Sequence, residues 1–329
     1  MMKYKQDPSF LQPRFSGIST FMRLPHVQTL EDINVAVVGV PFDTAQTFRT
    51  GSRLGPQAIR NFSSLVRCSS YYHQINIFDY ISAVDYGDIP VVPGNIQGTY
   101  HNMVETLGPM YEREIVPLVM GGDHSISLGE LRAAAKHYGP VSLLHFDAHT
   151  DTVDSYFGQK YTHGTPFRRA VEEGLLDPSS SIQIGMRGSL NNICEYDESR
   201  DLGFEVITTE EIIEMKIPTL ISKIKDRVKD KPVFLSFDVD FIDPAFAPGT
   251  GTPEVGGIYP REALQILRQL TDITFIGFDV VEVLPSYDHG NITAALAANV
   301  MFELMCLVAL NKKKDSYNLQ MLNKEVLNQ

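Results

Sequence analysis

Cysteine is scarce in this chain. Its 329 residues include three, Cys68, Cys194 and Cys306. That odd number at wide spacing excludes a disulfide framework and a paired-cysteine zinc motif. Positive charge is also in short supply. Against 40 acidic residues stand 28 Lys and Arg, a net charge of -12, which argues against a nucleic acid or an anionic membrane as the main partner. The same balance is compatible with a small cationic substrate. No apolar run is expected to reach the roughly 18 residues of a membrane span. The opening Met1-Met2-Lys3-Tyr4-Lys5-Gln6-Asp7 lacks the apolar core of a signal peptide, so the expected location is reducing and cytoplasmic. The first strand runs into Val40-Pro41-Phe42-Asp43 rather than a glycine-rich phosphate loop, which counts against a nucleotide-binding doubly wound protein.

What the chain does hold is alternation. Apolar runs at residues 35–40, 81–89, 115–120, 141–144, 181–186, 204–208, 232–242 and 273–284 predict strands. Between them, helices are expected over about 57–65, 99–112, the stretch ending near His137, and 292–310. Strands alternating with helices over the whole length predict an α/β fold with a parallel sheet covered on both faces. No linker, composition break or repeat interrupts it. One domain is expected over residues 1–310, with an irregular arm over about 1–30 that contains Pro8, Pro13 and Pro25, and a polar, loose tail over 311–329.

The chemistry gathers at predicted strand ends. Asp147, His149 and Asp151 lie two apart after the run at 141–144 and converge if the chain is extended, at the edge where open α/β sheets bind ligands. Two carboxylates and an imidazole there repel or protonate one another unless a cation holds them. Taken alone, a solvated strand end explains the triplet as well. His124 follows Gly121-Gly122, and by itself fits a turn with a capping Asp or Ser. Asp238 and Asp240 repeat the two-apart spacing inside an apolar strand, where two charges are costly without a cation. Glu282 stands in Val280-Val281-Glu282-Val283, equally short of a partner. Carboxylates mixed with imidazole and no thiolate favour Mn²⁺ over zinc, with Fe, Co or Ni possible. The four aspartates and two histidines make six ligands, more than one ion needs. Two ions bridged by carboxylates, about 3.5–4 Å apart, would make a hydrolase site in which a shared water loses its proton near neutral pH.

Gly121-Gly122-Asp123-His124-Ser125, Asp147-Ala148-His149-Thr150-Asp151 and Ser236-Phe237-Asp238-Val239-Asp240-Phe241-Ile242-Asp243-Pro244 resemble, in order, the signatures of the ureohydrolase (arginase/agmatinase) family. The resemblance runs from about Pro13 to Leu310. It implies a three-layer α/β/α fold around an eight-stranded parallel sheet, two Mn²⁺ per subunit, urea release from a guanidino group, and a homotrimer or homohexamer. It implies that His124, Asp147, Asp151 and Asp238 hold one metal and that Asp147, His149, Asp238 and Asp240 hold the other. Asp151 would relay a proton, His163 would protonate the departing amine, Glu282 would pair with the guanidinium, and Thr252 would line its pocket. All these positions are filled, which counts against a non-catalytic regulatory homologue.

Phe157-Gly158-Gln159-Lys160 with His163-Gly164-Thr165-Pro166, and Val281-Glu282-Val283-Leu284-Pro285, resemble the agmatinase-type branch rather than the arginases. Agmatine, hydrolysed to putrescine, is the first expectation. A guanidino acid such as 4-guanidinobutyrate or 3-guanidinopropionate is the alternative. Tyr156 and its loop are expected to touch the substrate's tail. Asp123 and Asp279 are read as turn caps or as residues that orient the ligands. His145 is read as a core residue facing away from the ligand histidines, and His101 and His137 as surface residues.

Overall fold

A computed structural model describes residues 2–7 and 13–327, with the last helix's side chains described to residue 318. Pro8 of the expected arm and the last two residues of the expected tail lie outside the described residues.

Eight strands form one parallel sheet. They are β1 (Val35–Val40), β2 (Ala83–Asp88), β3 (Val116–Gly121), β4 (Ser142–Phe146), β5 (Ile182–Met186), β6 (Glu205–Thr208), β7 (Val233–Asp238) and β8 (Phe275–Val281). Their order is β2-β1-β3-β8-β7-β4-β5-β6. The apolar runs of β1, β3, β4, β5, β7 and β8 are buried along their whole length, as a parallel sheet covered on both faces requires.

Two apolar layers cover the sheet. Helices α1 (Gly55–Ser63), α7 (Ile217–Val228), α8 (Pro260–Arg268) and α9 (Ile292–Leu327) pack on one face through Ile59, Leu220, Ile266 and Met301. Helices α2 (Ile96–Tyr111), α3 (Ser127–Tyr138) and α4 (Pro166–Glu172) cover the other through Met103, Leu131 and Phe167. Two short helices, α5 (Glu195–Asp201) and α6 (Thr209–Glu214), flank the β6 edge.

Several boundaries differ from expectation for local reasons. Helix α2 begins at Ile96 because the Asn95 side chain accepts from the Gly98 backbone N–H and so caps it. The strand expected to reach Ile242 stops at Asp238 and turns through a 3₁₀ segment, Val239–Phe241. Helix α9 does not end near Leu310 but continues to Leu327. Over Ile292–Asn318 it is long and apolar enough to cross a membrane by length and composition, contrary to the expectation of no such run, yet 83% of its most apolar window is buried in the protein. Burial of that kind marks a core helix.

At the sheet's carboxyl edge, Gly122 meets the backbone with no room for a side chain. A Cβ placed on Gly122 would stand 2.0 Å from the Phe42 carbonyl oxygen and 2.7 Å from that of Val40. Gly122→Ala is therefore expected to destabilise the protein by about 1–3 kcal/mol, read as a lower urea midpoint. An unchanged midpoint would contradict this close approach.

Candidate active site

The predicted residues meet at the carboxyl ends of β3, β8, β7 and β4, four neighbours at the centre of the sheet. Their convergence is a matter of turns, which corrects the expectation of an extended chain. Asp147 lies one residue past β4, and its Oδ1 accepts from the His149 backbone N–H at 2.7 Å. Asp238 closes the same turn at the end of β7, accepting from Asp240 N–H at 2.8 Å. Such turns, in which the carboxylate caps the backbone two residues on, bring each two-apart pair to one side. Asp151 and Glu282 both adopt positive φ, 51° and 62°, a strained conformation that persists where surroundings impose it.

His124 opens a 3₁₀ turn after β3, capped by Asp123. Its Nε2 lies 2.7 Å from Ser236 Oγ, which donates to Asp279 Oδ1 at 2.6 Å. That chain places a proton on Nε2 and turns Nδ1 toward the carboxylates. Nδ1 stands 3.0 Å from Asp147 Oδ2, 3.0 Å from Asp151 Oδ2 and 3.3 Å from Asp238 Oδ2. It is buried, and its geometry makes no hydrogen bond with any of them. His149 Nδ1 lies 3.1 Å from Asp240 Oδ2 and 3.4 Å from Asp147 Oδ1. Asp147 thus presents one oxygen to each imidazole. Among the described residues, Asp238 has an imidazole within 4.0 Å only in His124.

His145 does not face away from this cluster, as expected, but touches it. Its Nε2 is 2.8 Å from Asp147 Oδ2. Gln183 fixes the tautomer. Its Oε1 accepts from Ser199 Oγ, so its amide N–H groups face Thr150 O and His145 Nδ1. His145 therefore donates from Nε2 to Asp147 and orients that carboxylate. The expectation that Asp279 orients matches its place at the end of the His124–Ser236 chain, where Ser127 Oγ also donates to it. His101 and His137 are exposed on helices.

Charge in this cluster is strongly redistributed. Burial pushes the Asp238 carboxyl well up, reinforced by Asp240 and Asp147. Burial and Asp147 push Asp240 up to about 6. Burial works against the charged form of Asp147 too, but His145, His124 and His149 outweigh it and hold that carboxyl well down. The carboxylates likewise raise His124 and His149 against the effect of burial. Four carboxylates and two imidazoles that converge in one place fit a site for divalent cations: the donors are hard, and His124 Nδ1 is buried among them without a hydrogen-bond partner. Two groups there, one of Asp147, His149 and Asp240 and one of His124, His145 and Asp147, bring ligand atoms close enough to hold an ion. The tautomer of His145 argues for its role as a donor to Asp147 instead.

Beside the cluster lies a cavity of about 430 Å³, lined in part by His149, Asp151, Tyr156, His163 and Thr252. Thr252 Oγ1 reaches Asp240 Oδ2 at 3.5 Å. The Tyr156 hydroxyl accepts from Asn191 at 3.3 Å, and its ring closes on Gly164. His163 Nδ1 lies 3.5 Å from Glu282 Oε1. Burial lowers the pKa of His163, but the Glu282 carboxylate reverses this and raises it. Sequence reasoning missed the loop after β1. There Thr47 approaches His163 Nε2 through both N–H and Oγ1, and Gln46 donates to Glu282. It also missed Glu195 and Glu254 on the outer wall. None carries a spacing signal: the contacts of Thr47 and Gln46 join residues far apart in sequence, and the two glutamates stand singly.

The arginase-family model matches residues 33–307. The chain belongs to the arginase family. A guanidinopropionase from Pseudomonas aeruginosa is 44% identical over 90% of this chain and 93% of its own. A mitochondrial agmatinase from Gallus gallus is 43% identical, covering 89% of this chain and 86% of its own. The solved structure of proclavaminate amidino hydrolase from Streptomyces clavuligerus superposes with a TM-score of 0.87 at 41% identity, covering 91% of this chain and 99% of that one. The parallel eight-stranded sheet with flanking helices is the fold of these arginase-family neighbours. As an arginase-family enzyme the chain is a ureohydrolase acting on guanidino compounds, and the family fold implies a binuclear divalent-metal centre.

Two outcomes follow from the cluster's geometry. Ser236→Ala leaves His124 Nε2 without its partner and should weaken Mn²⁺ binding by about 10–100-fold, measured by competition with a chelating dye; unaltered affinity would contradict the orienting chain. Asp238, Asp240, His124 and His149 all have raised pKa values, so protons must leave when a cation enters. Mn²⁺ binding should therefore release protons and tighten as pH rises through about 6, the value for Asp240. Titration in weak buffer with no proton release would refute it.

Proposed function

We propose that this chain hydrolyses a guanidino compound with a cationic tail, agmatine in the first place, to urea and an amine, putrescine. The charge of the cavity's outer wall supports this most directly. Glu195 and Glu254 line it, no lysine does, and neither carboxylate has an Arg or Lys within salt-bridge reach among the described residues. The one guanidinium on the wall, that of Arg187, is committed to the backbone carbonyls of Gly185, Asp240, Phe241 and Glu254. Burial pushes the Glu195 carboxyl up, so an ammonium arriving there replaces lost solvation. A guanidino-acid tail finds no free cation on that wall. The second reading, a guanidino-acid hydrolase, draws on the relatives' names, among them a guanidinopropionase and a guanidinobutyrase from Pseudomonas aeruginosa.

In this reading His124, Asp147, Asp151 and Asp238 hold one ion and Asp147, His149, Asp238 and Asp240 the other, with Mn²⁺ as the metal and Ni, Co or Fe as replacements. When bound, the ions supply Lewis-acid activation of water at neutral pH. Glu282 holds the guanidinium through a charge-assisted fork. Thr252 closes the pocket on the metal side, and Tyr156 packs against the tail. As water adds to the guanidino carbon, Asp151 takes its proton. The carbon–nitrogen bond to the tail then breaks, and His163 supplies the proton that the amine nitrogen needs. The active form is a homotrimer or homohexamer, and three free cysteines suit a reducing, cytoplasmic compartment.

Urea release from agmatine and from 4-guanidinobutyrate, compared side by side with Mn²⁺-loaded protein, tests the assignment. Agmatine should give the higher kcat/KM, and Glu195→Gln should lower that value by about tenfold while leaving the acid's unchanged or improved. A preference for the acid would transfer the assignment to the guanidino-acid hydrolases.

A further inference from the structure

The amide of Gln46 is half engaged. Its Nε2 donates to Glu282 Oε2 at 2.5 Å, across 236 residues of sequence. Its other end, Oε1, is buried without a hydrogen-bond partner, an unfavourable state for an acceptor removed from water. Glu282 is held from the opposite side by the His124 backbone N–H, which donates to Oε1 at 3.0 Å. A Cβ on Gly251 would stand 3.0 Å from Glu282 Oε2 and 3.2 Å from Gln46 Nε2, so glycine lets a third backbone segment close over the pair. The result is a rigid carboxylate beside a neutral carbonyl oxygen that lacks a donor.

The guanidinium of an alkylguanidine carries five N–H donors in one plane. Two suffice for a fork on a carboxylate, and the rest need acceptors. We propose that Gln46 is a substrate-binding residue. Its N–H fixes the Glu282 carboxylate, and its Oε1 accepts from a guanidinium N–H that Glu282 leaves free. This rests on the reading that Glu282 receives the guanidinium. It extends the recognition surface to the loop after β1 and favours planar cations with many donors over a simple ammonium, which helps the product amine to leave.

The test is a double-mutant cycle on metal-loaded protein, with guanidinium ion as the probe and its dissociation constant read by calorimetric titration. Gln46→Met should weaken binding roughly tenfold, with melting temperature and metal content as in the unmodified protein. Glu282→Gln should weaken it further. In the Glu282→Gln background, Gln46→Met should still cost several-fold, because Oε1 touches the cation directly. Gln46→Ala gives the same comparison if Gln46→Met does not fold. Unchanged affinity in Gln46→Met, or an effect that vanishes in the Glu282→Gln background, would overturn the proposal. Unchanged affinity in Glu282→Gln would instead overturn the placement of the guanidinium on Glu282.

Discussion

His124 Nδ1 is buried and faces oxygens of Asp147, Asp151 and Asp238 at 3.0–3.3 Å without a hydrogen bond to any. Carboxylates crowded into such a space hold protons to limit their repulsion, and a cation at the centre takes the place of those protons. Much of the surrounding structure keeps that crowding in place. Asp279 and Ser236 direct the far nitrogen of His124, Gln183 directs His145 onto Asp147, and the turn hydrogen bonds of Asp147 and Asp238 hold their carboxylates against relaxation.

The fold makes this possible by topology. The order β2-β1-β3-β8-β7-β4-β5-β6 sets strands distant in sequence side by side, so four strand ends deliver their acids and imidazoles to one place. Apolar layers on both faces leave the carboxyl edge as the place where polar groups collect. The loop after β1 crosses to this edge, and the close approach of Gly122 to Phe42 and Val40 anchors it there.

Much of this is legible in the sequence. The parallel sheet follows from apolar runs that alternate with helical stretches, and its eight strands are what the family resemblance implies. Asp147, His149, Asp238, Asp240 and Glu282 stand out because ionisable groups in apolar strands demand a partner. His145 stands two residues before Asp147, so strand alternation puts both on one face; the expectation of a core residue that faces away neglects that spacing, and its Nε2 contacts Asp147. Other features are not legible, for identifiable reasons. Apolar periodicity cannot find the end of α9, since its last turns are polar yet remain helical. Gln46 and Thr47 act through contacts between distant segments, Glu195 and Glu254 stand singly on the cavity wall, and no local pattern marks any of them.

The proposed function depends on two ions held in one Asp/His cluster. Electron paramagnetic resonance of Mn²⁺-loaded, dialysed protein, with the bound metal counted on the same sample, tests it most directly. Two ions per chain and the multiline spectrum of an exchange-coupled pair are the expected result. One ion per chain, or the six-line spectrum of isolated Mn²⁺, would contradict it.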